Sequence, residues 1–288
     1  MTINDLRREG LNRLTEAAVT DAGTDSVLLL EHALGEDRNH ILVNGSVEVD
    51  EAAVGIYRSL IDKRAGHMPL QYITGRQEFM GLDFEVDEAV LIPRQDTECL
   101  VEEAMIEIED GMKVLDLCTG SGCVIISLAR YKNNLFAIGT DISEEAVVIA
   151  AGNADLNGVE VSFVQGDLYD GLHKTSSAEN GIPVKYDAIV SNPPYIATGV
   201  IDTLMEEVRE HEPLLALDGG EDGLIFYRRI IEGADEHLVP GGVILFEIGY
   251  DQGGAVSGML KDKGYRDVQV IKDLAGLDRV VKAHRPHL

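Results

Sequence analysis

The chain has 288 residues, enough for one large domain with a smaller partner, and its 45% hydrophobic and 26% charged residues fit a globular protein with a real core. With 51 acidic and 24 basic residues the formal net charge is −27, so the surface is short of the cations that neutralise phosphates, which argues against a nucleic-acid partner. Solubility or a salty habitat explains the same acidity equally well.

No apolar run reaches the roughly 18–20 residues of a bilayer span. The start, Met1-Thr2-Ile3-Asn4-Asp5-Leu6-Arg7-Arg8, lacks the apolar core of a signal peptide. A cytoplasmic protein with no membrane partner is expected. Cys99, Cys118 and Cys123 form no CxxC pair, and the histidines show neither HExxH nor ligand spacing. Free thiols and no metal site follow.

In chain order, residues 1–65 read as helical. Leu6, Leu11 and Leu14 recur near helical spacing. Residues 27–34 form an apolar segment after the start signals Asp25 and Ser26, and residues 52–61 form another after Asp50-Glu51. No phosphate loop or catalytic cluster lies here, so packing and partner recognition are the expected roles. Between residues 71 and 90 the pattern changes. Tyr72, Ile73, Phe79, Leu82, Phe84 and Val86 alternate with polar residues around Gly75 and Met80-Gly81, which predicts a β-hairpin. The domain layout is then a helical domain over 1–70, a hairpin linker over 71–92 and a main domain over 93–288.

Leu91-Ile92-Pro93-Arg94 leads into a predicted helix over 96–108. Strands at 114–117, 135–139, 161–164, 188–190 and 243–248 alternate with helices at 123–130, 144–156, 223–237 and 254–263. Residues 265–271 and 279–282 close the sheet as an antiparallel pair. The alternation predicts a Rossmann-like, doubly wound α/β sheet with ligand sites at the carboxyl ends of its strands. Residues 173–185 read as a polar surface loop.

Three strand ends carry the candidate cofactor site. Asp116-Leu117-Cys118-Thr119-Gly120-Ser121-Gly122 follows the first strand and opens a helix, and its glycines let backbone approach a ligand. Dinucleotide folds place GxGxxG here, but Ile125 occupies the third glycine position and the acidic Asp116 precedes the turn. Both features favour S-adenosylmethionine, which has no pyrophosphate and presents an ammonium that a carboxylate or backbone carbonyls can hold. Asp141 ends the next strand, where a carboxylate can accept both ribose hydroxyls. Asp167, after the third strand, is placed to accept from the adenine amino group. The plainer readings make Asp141 a helix-start residue and Asp167 a turn residue. Their occurrence on consecutive strand ends favours the cofactor.

After the fourth strand comes Ser191-Asn192-Pro193-Pro194-Tyr195. Two prolines fix a rigid extended turn that offers acceptors and few donors. The Asn192 side-chain oxygen and the Pro193 carbonyl can each accept one N–H of a planar NH₂ group, with Tyr195 stacking on it. Holding both hydrogens orients a delocalised nitrogen for in-line attack on a sulfonium methyl, without a strong general base. The plainer reading is a loop breaker. Taken together, Asn192, Pro193, Pro194 and Tyr195 are the candidate acceptor residues.

These segments resemble the release-factor glutamine N5-methyltransferases over nearly the whole chain. The resemblance rests on Pro69-Leu70-Gln71-Tyr72-Ile73-Thr74-Gly75, Glu78-Phe79, Val90-Leu91-Ile92-Pro93-Arg94, Asp96-Thr97-Glu98 and residues 114–122. It continues through Asn192-Pro193-Pro194-Tyr195-Ile196, Glu212-Pro213, Asp222-Gly223-Leu224 and Asp278-Arg279-Val280-Val281. The Asn-Pro-Pro-Tyr run alone is shared with DNA adenine methyltransferases; the hairpin and Ile-Pro-Arg segments are more specific. The resemblance implies a class I S-adenosylmethionine methyltransferase domain with an antiparallel terminal strand, acting on the glutamine of the GGQ motif in peptide chain release factors. It implies that the helical domain docks the release factor and the hairpin couples it to the catalytic domain. Family cofactor positions carry over onto Cys118, Thr119, Gly120, Ser121, Gly122, Asp141, the Asp167-Leu168 turn and Asn192. Two departures stand out: Gln95 replaces a common proline, and Leu168 a frequent aromatic, which implies a looser turn and weaker adenine packing. Arg94 and Glu98 are read as structural, either a salt-bridged pair one turn apart or part of the pocket lining, and Glu212 as a turn residue. Glutamine methylation of a ribosomal protein and, less favoured by the charge, adenine N6 methylation are the alternatives.

Overall fold

A computed structural model describes residues 1–172 and 184–287. The expected polar loop at 173–185 lies almost wholly outside the described residues. The chain divides into two compact units, 1–76 with 205–211, and 77–204 with 212–288.

The first unit is helical. It holds α1 (Ile3–Glu16), α2 (Ala22–Leu34), α3 (Arg38–Val43), α4 (Glu51–Ala65) and α5 (Leu70–Thr74). Thr2 opens α1 with a capping box, its hydroxyl accepting the Asp5 N–H while the Asp5 carboxylate accepts the Thr2 N–H. Ile3, Leu6 and Leu14 are buried on α1, whereas Leu11, expected on the same face, is 42% exposed because Gly10 takes the inward position against Tyr57. Asp25 is not a helix-start signal. Helix α2 begins earlier, at Ala22, and Asp25 is buried within it, accepting from Arg64 Nε at 2.6 Å. A second Arg64 nitrogen reaches Glu207 at 2.7 Å and the third donates to the Met68 carbonyl at 3.1 Å. Glu207 lies on the short helix Glu206–His211, far away in sequence. One buried guanidinium therefore ties α2, α4 and a returning segment together.

The second unit begins with the hairpin β1 (Arg76–Phe79) and β2 (Leu82–Glu85). It starts later than the sequence pattern suggests, since residues 70–74 form a helical turn ended by Gly75 at φ +74°. Phe79 and Phe84 meet edge to face and enter the core. Helix α6 (Glu98–Glu107) follows a 3₁₀ turn, Gln95–Thr97, and Glu98 accepts the Met80 N–H at 2.8 Å. Then come β3 (Lys113–Leu117), α7 (Cys123–Tyr131), β4 (Phe136–Asp141), α8 (Glu144–Asn157), β5 (Ser162–Gln165) and β6 (Tyr186–Ser191). After β6 the chain makes a 3₁₀ stretch, Thr198–Thr203, then α9 (Glu206–His211), which belongs to the first unit, and α10 (Leu214–Leu217), none of which was expected. Helix α11 (Ile225–His237), β7 (Leu238–Glu247), α12 (Gly253–Asp262), β8 (Arg266–Lys272) and β9 (Asp278–His284) complete it.

The seven-stranded sheet has the order β5-β4-β3-β6-β7-β9-β8. Strands β3 to β7 are parallel, and β9 runs antiparallel to both β7 and β8. Continuous apolar strands such as Leu115, Leu117, Ile189, Val190, Ile244 and Leu245 are buried because helices cover both faces. The strand order reverses between β3 and β6, which opens a crevice at their carboxyl ends. Asn153 on α8 fixes one wall. Its amide is 0% exposed, accepts the Glu85 N–H at 2.7 Å, and donates to the Glu85 and Ser121 carbonyls at 3.0 Å. One side chain thus couples the hairpin to the turn after β3. Among the described residues no helix is long and apolar enough to cross a membrane.

Arg64→Met leaves Asp25 buried without a counter-charge, and is expected to cost about 3–5 kcal/mol in urea denaturation. Adding Asp25→Leu should restore most of that loss.

Candidate active site

A cavity of about 370 Å³ opens where β3, β4, β5 and β6 end, within the range of roughly 300–1,000 Å³ common for small-molecule sites. Among its walls are Asp116, Asp141, Asp167 and Asn192.

The turn after β3 is shaped by backbone conformation. Cys118, Gly120 and Gly122 have φ of +60°, +54° and +81°. Left-handed geometry at a non-glycine residue such as Cys118 costs of order 1–3 kcal/mol, and the surrounding hydrogen bonds hold it. Thr119 N–H donates to the Thr140 carbonyl at 2.9 Å, and Gly122 N–H returns to the Thr119 carbonyl at 2.8 Å. Gly122 stands behind the cavity, not on its wall. A Cβ there would come within 2.7 Å of Ile126 and 3.2 Å of Ala150 of α8, so only glycine lets α7 begin at this left-handed turn against α8.

Three carboxylates differ in their surroundings. Asp116 is 1% exposed and accepts from the Thr119 hydroxyl at 2.6 Å. Burial pushes its pKa up to about 7, opposed by the Thr119 hydrogen bond and reinforced by the charge of Asp141. Asp141 braces the turn, accepting Gly120 N–H at 2.8 Å and Ser143 N–H at 3.0 Å. Burial raises its pKa too, with these backbone donors in opposition. It is not the helix cap; Ser143 is, accepting Ala146 N–H at 3.1 Å. Asp167 is more exposed and pairs with Arg229 of α11 at 2.8 Å. The neighbouring Leu168 is buried with φ +54°, and its carbonyl accepts from Thr140.

The loop after β6 lies beside this turn, and the Ser191 hydroxyl donates to the Leu117 carbonyl at 2.6 Å. Asn192 Nδ2 donates to Thr97 Oγ1 at 3.3 Å, which fixes the amide plane and leaves Oδ1 as the acceptor end. No described backbone hydrogen bond ends on the Pro193 carbonyl. Asn192 and Pro194 line the cavity, whereas the side chains of Pro193 and Tyr195 do not. Tyr195 packs against the core, its hydroxyl donating to Glu247 Oε1 at 3.4 Å and its carbonyl accepting from Gln252 at 2.9 Å. Gly223 shows why the loop needs a glycine neighbour. At φ +72°, a Cβ there would sit 2.3 Å from the Tyr195 carbonyl oxygen.

Sequence reading missed several walls. Phe226 and Arg229 of α11 line the cavity beside Leu168, with the guanidinium 5.9 Å from the Phe226 ring centre. They supply flat surface where Leu168 has none. Nothing in their spacing marks them, because they arrive by packing of α11. Arg94 lines the cavity and pairs with the buried Glu212 instead of Glu98, so Glu212 is more than a turn residue. Among the described residues no group of three or more histidine, cysteine or acidic side chains is arranged to hold a metal.

The donor set fits S-adenosylmethionine: a buried carboxyl at Asp116 for an ammonium, an acid at the end of β4, and apolar and aromatic walls near Leu168 and Phe226. Known proteins resemble both parts of the chain. Residues 5–75 match a family model described as the PrmC N-terminal domain, and residues 108–247 one described as a methyltransferase domain. The release factor glutamine methyltransferase of Clostridium acetobutylicum is 42% identical over 265 residues, covering 91% of this chain and 90% of its own. That of Clostridium botulinum is 42% identical over 291 residues, covering 99% of this chain and all (100%) of its own. A methyltransferase structure from Pyrococcus furiosus superposes with a TM-score of 0.52 at 19% identity, covering 72% of this chain and 91% of that one, and shares the fold. A helical N-terminal unit, a class I methyltransferase sheet and near full-length similarity lead to one conclusion: the chain belongs to the release factor glutamine methyltransferase family.

Proposed function

We propose that this protein transfers a methyl group from S-adenosylmethionine to the side-chain amide nitrogen of the glutamine in the GGQ motif of release factors. The observation that carries the reading is the acceptor end of Asn192 on the same cavity as Asp116 and Asp141. Asp116 would hold the cofactor's ammonium, Asp141 its ribose, and the Asp167-Leu168 turn with Phe226 and Arg229 its adenine. Cys118, Thr119, Gly120 and Ser121 would approach it through the backbone, with Gly122 setting the turn. When bound, S-adenosylmethionine supplies the electrophilic methyl group.

The chain's own contribution is orientation. Asn192 Oδ1 and the Pro193 carbonyl accept the two hydrogens of the substrate amide, turning its nitrogen toward the methyl donor and favouring pyramidalisation during attack. Pro193 and Pro194 keep this turn rigid, since neither can swing its φ or offer a competing N–H. The proton leaves after transfer, so no strong base is required. The net charge of −27 disfavours nucleic acid as the acceptor.

Incubation with labelled S-adenosylmethionine and, separately, release factor, ribosomal protein or adenine-containing DNA tests the reading. Label in release factor supports it, and label in DNA alone overturns it. Asn192→Ala is expected to abolish transfer while cofactor binding, measured by calorimetry, largely persists; an active variant would discard the acceptor role.

Asp116 gives a pH signature with two opposite slopes. Its carboxyl, raised to about 7, must ionise to hold an ammonium, so cofactor affinity should rise with pH up to about 7 and then level off. In the ligand-free protein the raised pKa works the other way. The folded state keeps a proton that the unfolded chain has lost above about pH 4, so this group's stabilisation falls as pH climbs toward 7. Asp116→Asn should flatten both slopes in calorimetric and thermal-melt series.

A further inference from the structure

Among the described residues, the cavity wall carries two cations, Arg94 and Arg229, against four acids, Asp116, Asp141, Glu145 and Asp167. Arg229 is taken up by Asp167 at 2.8 Å and lies 5.9 Å from the Phe226 ring centre. Arg94 belongs to a different stretch of wall, residues 89–97, whose Thr97 holds the Asn192 amide at 3.3 Å.

Local sequence fixes how Arg94 is presented. Pro93 locks its own φ and keeps Ile92 extended, while Val90 and Ile92 are buried and anchor the segment. Arg94 is extended too, at φ −99° and ψ 145°, and its carbonyl accepts the Thr97 N–H at 3.0 Å as the 3₁₀ turn begins. Its side chain is 40% exposed, and one terminal nitrogen, Nη2, pairs with Oε1 of Glu212, whose side chain is 1% exposed. Among the described residues the guanidinium makes no other hydrogen bond. Nη2 has one hydrogen on each edge of the guanidinium plane. Whichever edge Glu212 takes, the other still offers two parallel N–H groups, the geometry that matches a carboxylate.

The ligand supplies the complement. An amino-acid α-carbon bears both an ammonium and a carboxylate, so a cavity that takes the ammonium on Asp116 brings the carboxylate in with it. Among four acids that carboxylate is repelled unless a cation meets it. We propose, on the reading of this cavity as the S-adenosylmethionine site, that Arg94 grips the cofactor's carboxylate with the free edge of its guanidinium. The same fork makes the cavity select adenosyl amino acids over nucleosides that lack the carboxylate. Glu212 holds the fork from behind. It also stands just before α10, whose Leu215 and Ala216 line the cavity, so Arg94 joins two parts of the wall. An arginine that only joined walls would shape the cavity for every ligand alike. A carboxylate receptor acts on ligands that carry one, and that difference separates the two roles.

Titration calorimetry on the whole protein tests this with three probes: S-adenosylhomocysteine, its decarboxylated analogue and 5′-methylthioadenosine. In wild type, removing the carboxylate is expected to weaken binding by about tenfold to a hundredfold, the scale of hydrogen bonds to charged groups. Arg94→Met should lose the same factor for S-adenosylhomocysteine while binding the other two probes as wild type does. Arg94→Lys keeps a cation for the buried Glu212 but not the fork, and should lose several-fold for S-adenosylhomocysteine alone. Equal wild-type affinity for S-adenosylhomocysteine and its decarboxylated analogue would overturn the proposal without any variant. Equal weakening of all three probes in Arg94→Lys would overturn it in favour of a wall-joining role, as would unchanged S-adenosylhomocysteine affinity in Arg94→Met. If wild type binds neither S-adenosylhomocysteine nor 5′-methylthioadenosine, the cofactor reading falls and Arg94's role with it. If it binds both but ignores the carboxylate, only the role of Arg94 falls.

Discussion

Parallel strands β3 and β6 run side by side, but the chain leaves their carboxyl ends in opposite directions, and most of the site depends on that divergence. A glycine turn departs from β3 toward α7, and a proline turn departs from β6 toward α9 and α10. The Ser191 hydroxyl pins the bases of the two turns together through the Leu117 carbonyl. The turn after β3 and the turn after β6 are thereby held side by side by backbone geometry.

Around this crevice, the chain concentrates acids whose ionisation is costly. Asp116 and Glu247 are almost fully buried, and burial raises both. The logic differs between them. Asp116 opens onto the cavity, so a cationic ligand would restore the charge that burial disfavours. Glu247 accepts the Tyr195 hydroxyl beneath the acceptor loop, away from the cavity wall, and the arginine that lowers it, Arg279, is itself shared between two aspartates. Asp141 is intermediate, an acid employed first in bracing Gly120 and Ser143.

Rigidity is supplied by close approach as much as by hydrogen bonds. Gly122 allows α7 to start against Ala150 and Phe163, and Gly223 lets a distant loop rest on the Tyr195 carbonyl. Asn153 extends the same principle to the hairpin by bonding Glu85 and Ser121 at once. In an orientation-driven reaction, such fixed distances matter more than any single strong acid or base.

Apolar periodicity and turn chemistry are local, so the alternation of strands and helices from Lys113 onward, and the groups ending those strands, could be read from the sequence alone. The Asn-Pro-Pro-Tyr run could be read for the same reason, because proline restricts its own residue and its neighbour wherever the chain goes. Local pattern misled where a long-range partner decided the outcome: Asp25 resembles a helix start until Arg64 reaches it, and Leu11 loses the inward face to Gly10. Tertiary structure alone brought Phe226 and Arg229 to the cavity, paired Arg94 with Glu212, and placed Glu247 beneath Tyr195. Each of those depends on the path of the chain between elements far apart in sequence, and spacing along the chain holds no record of distance through space.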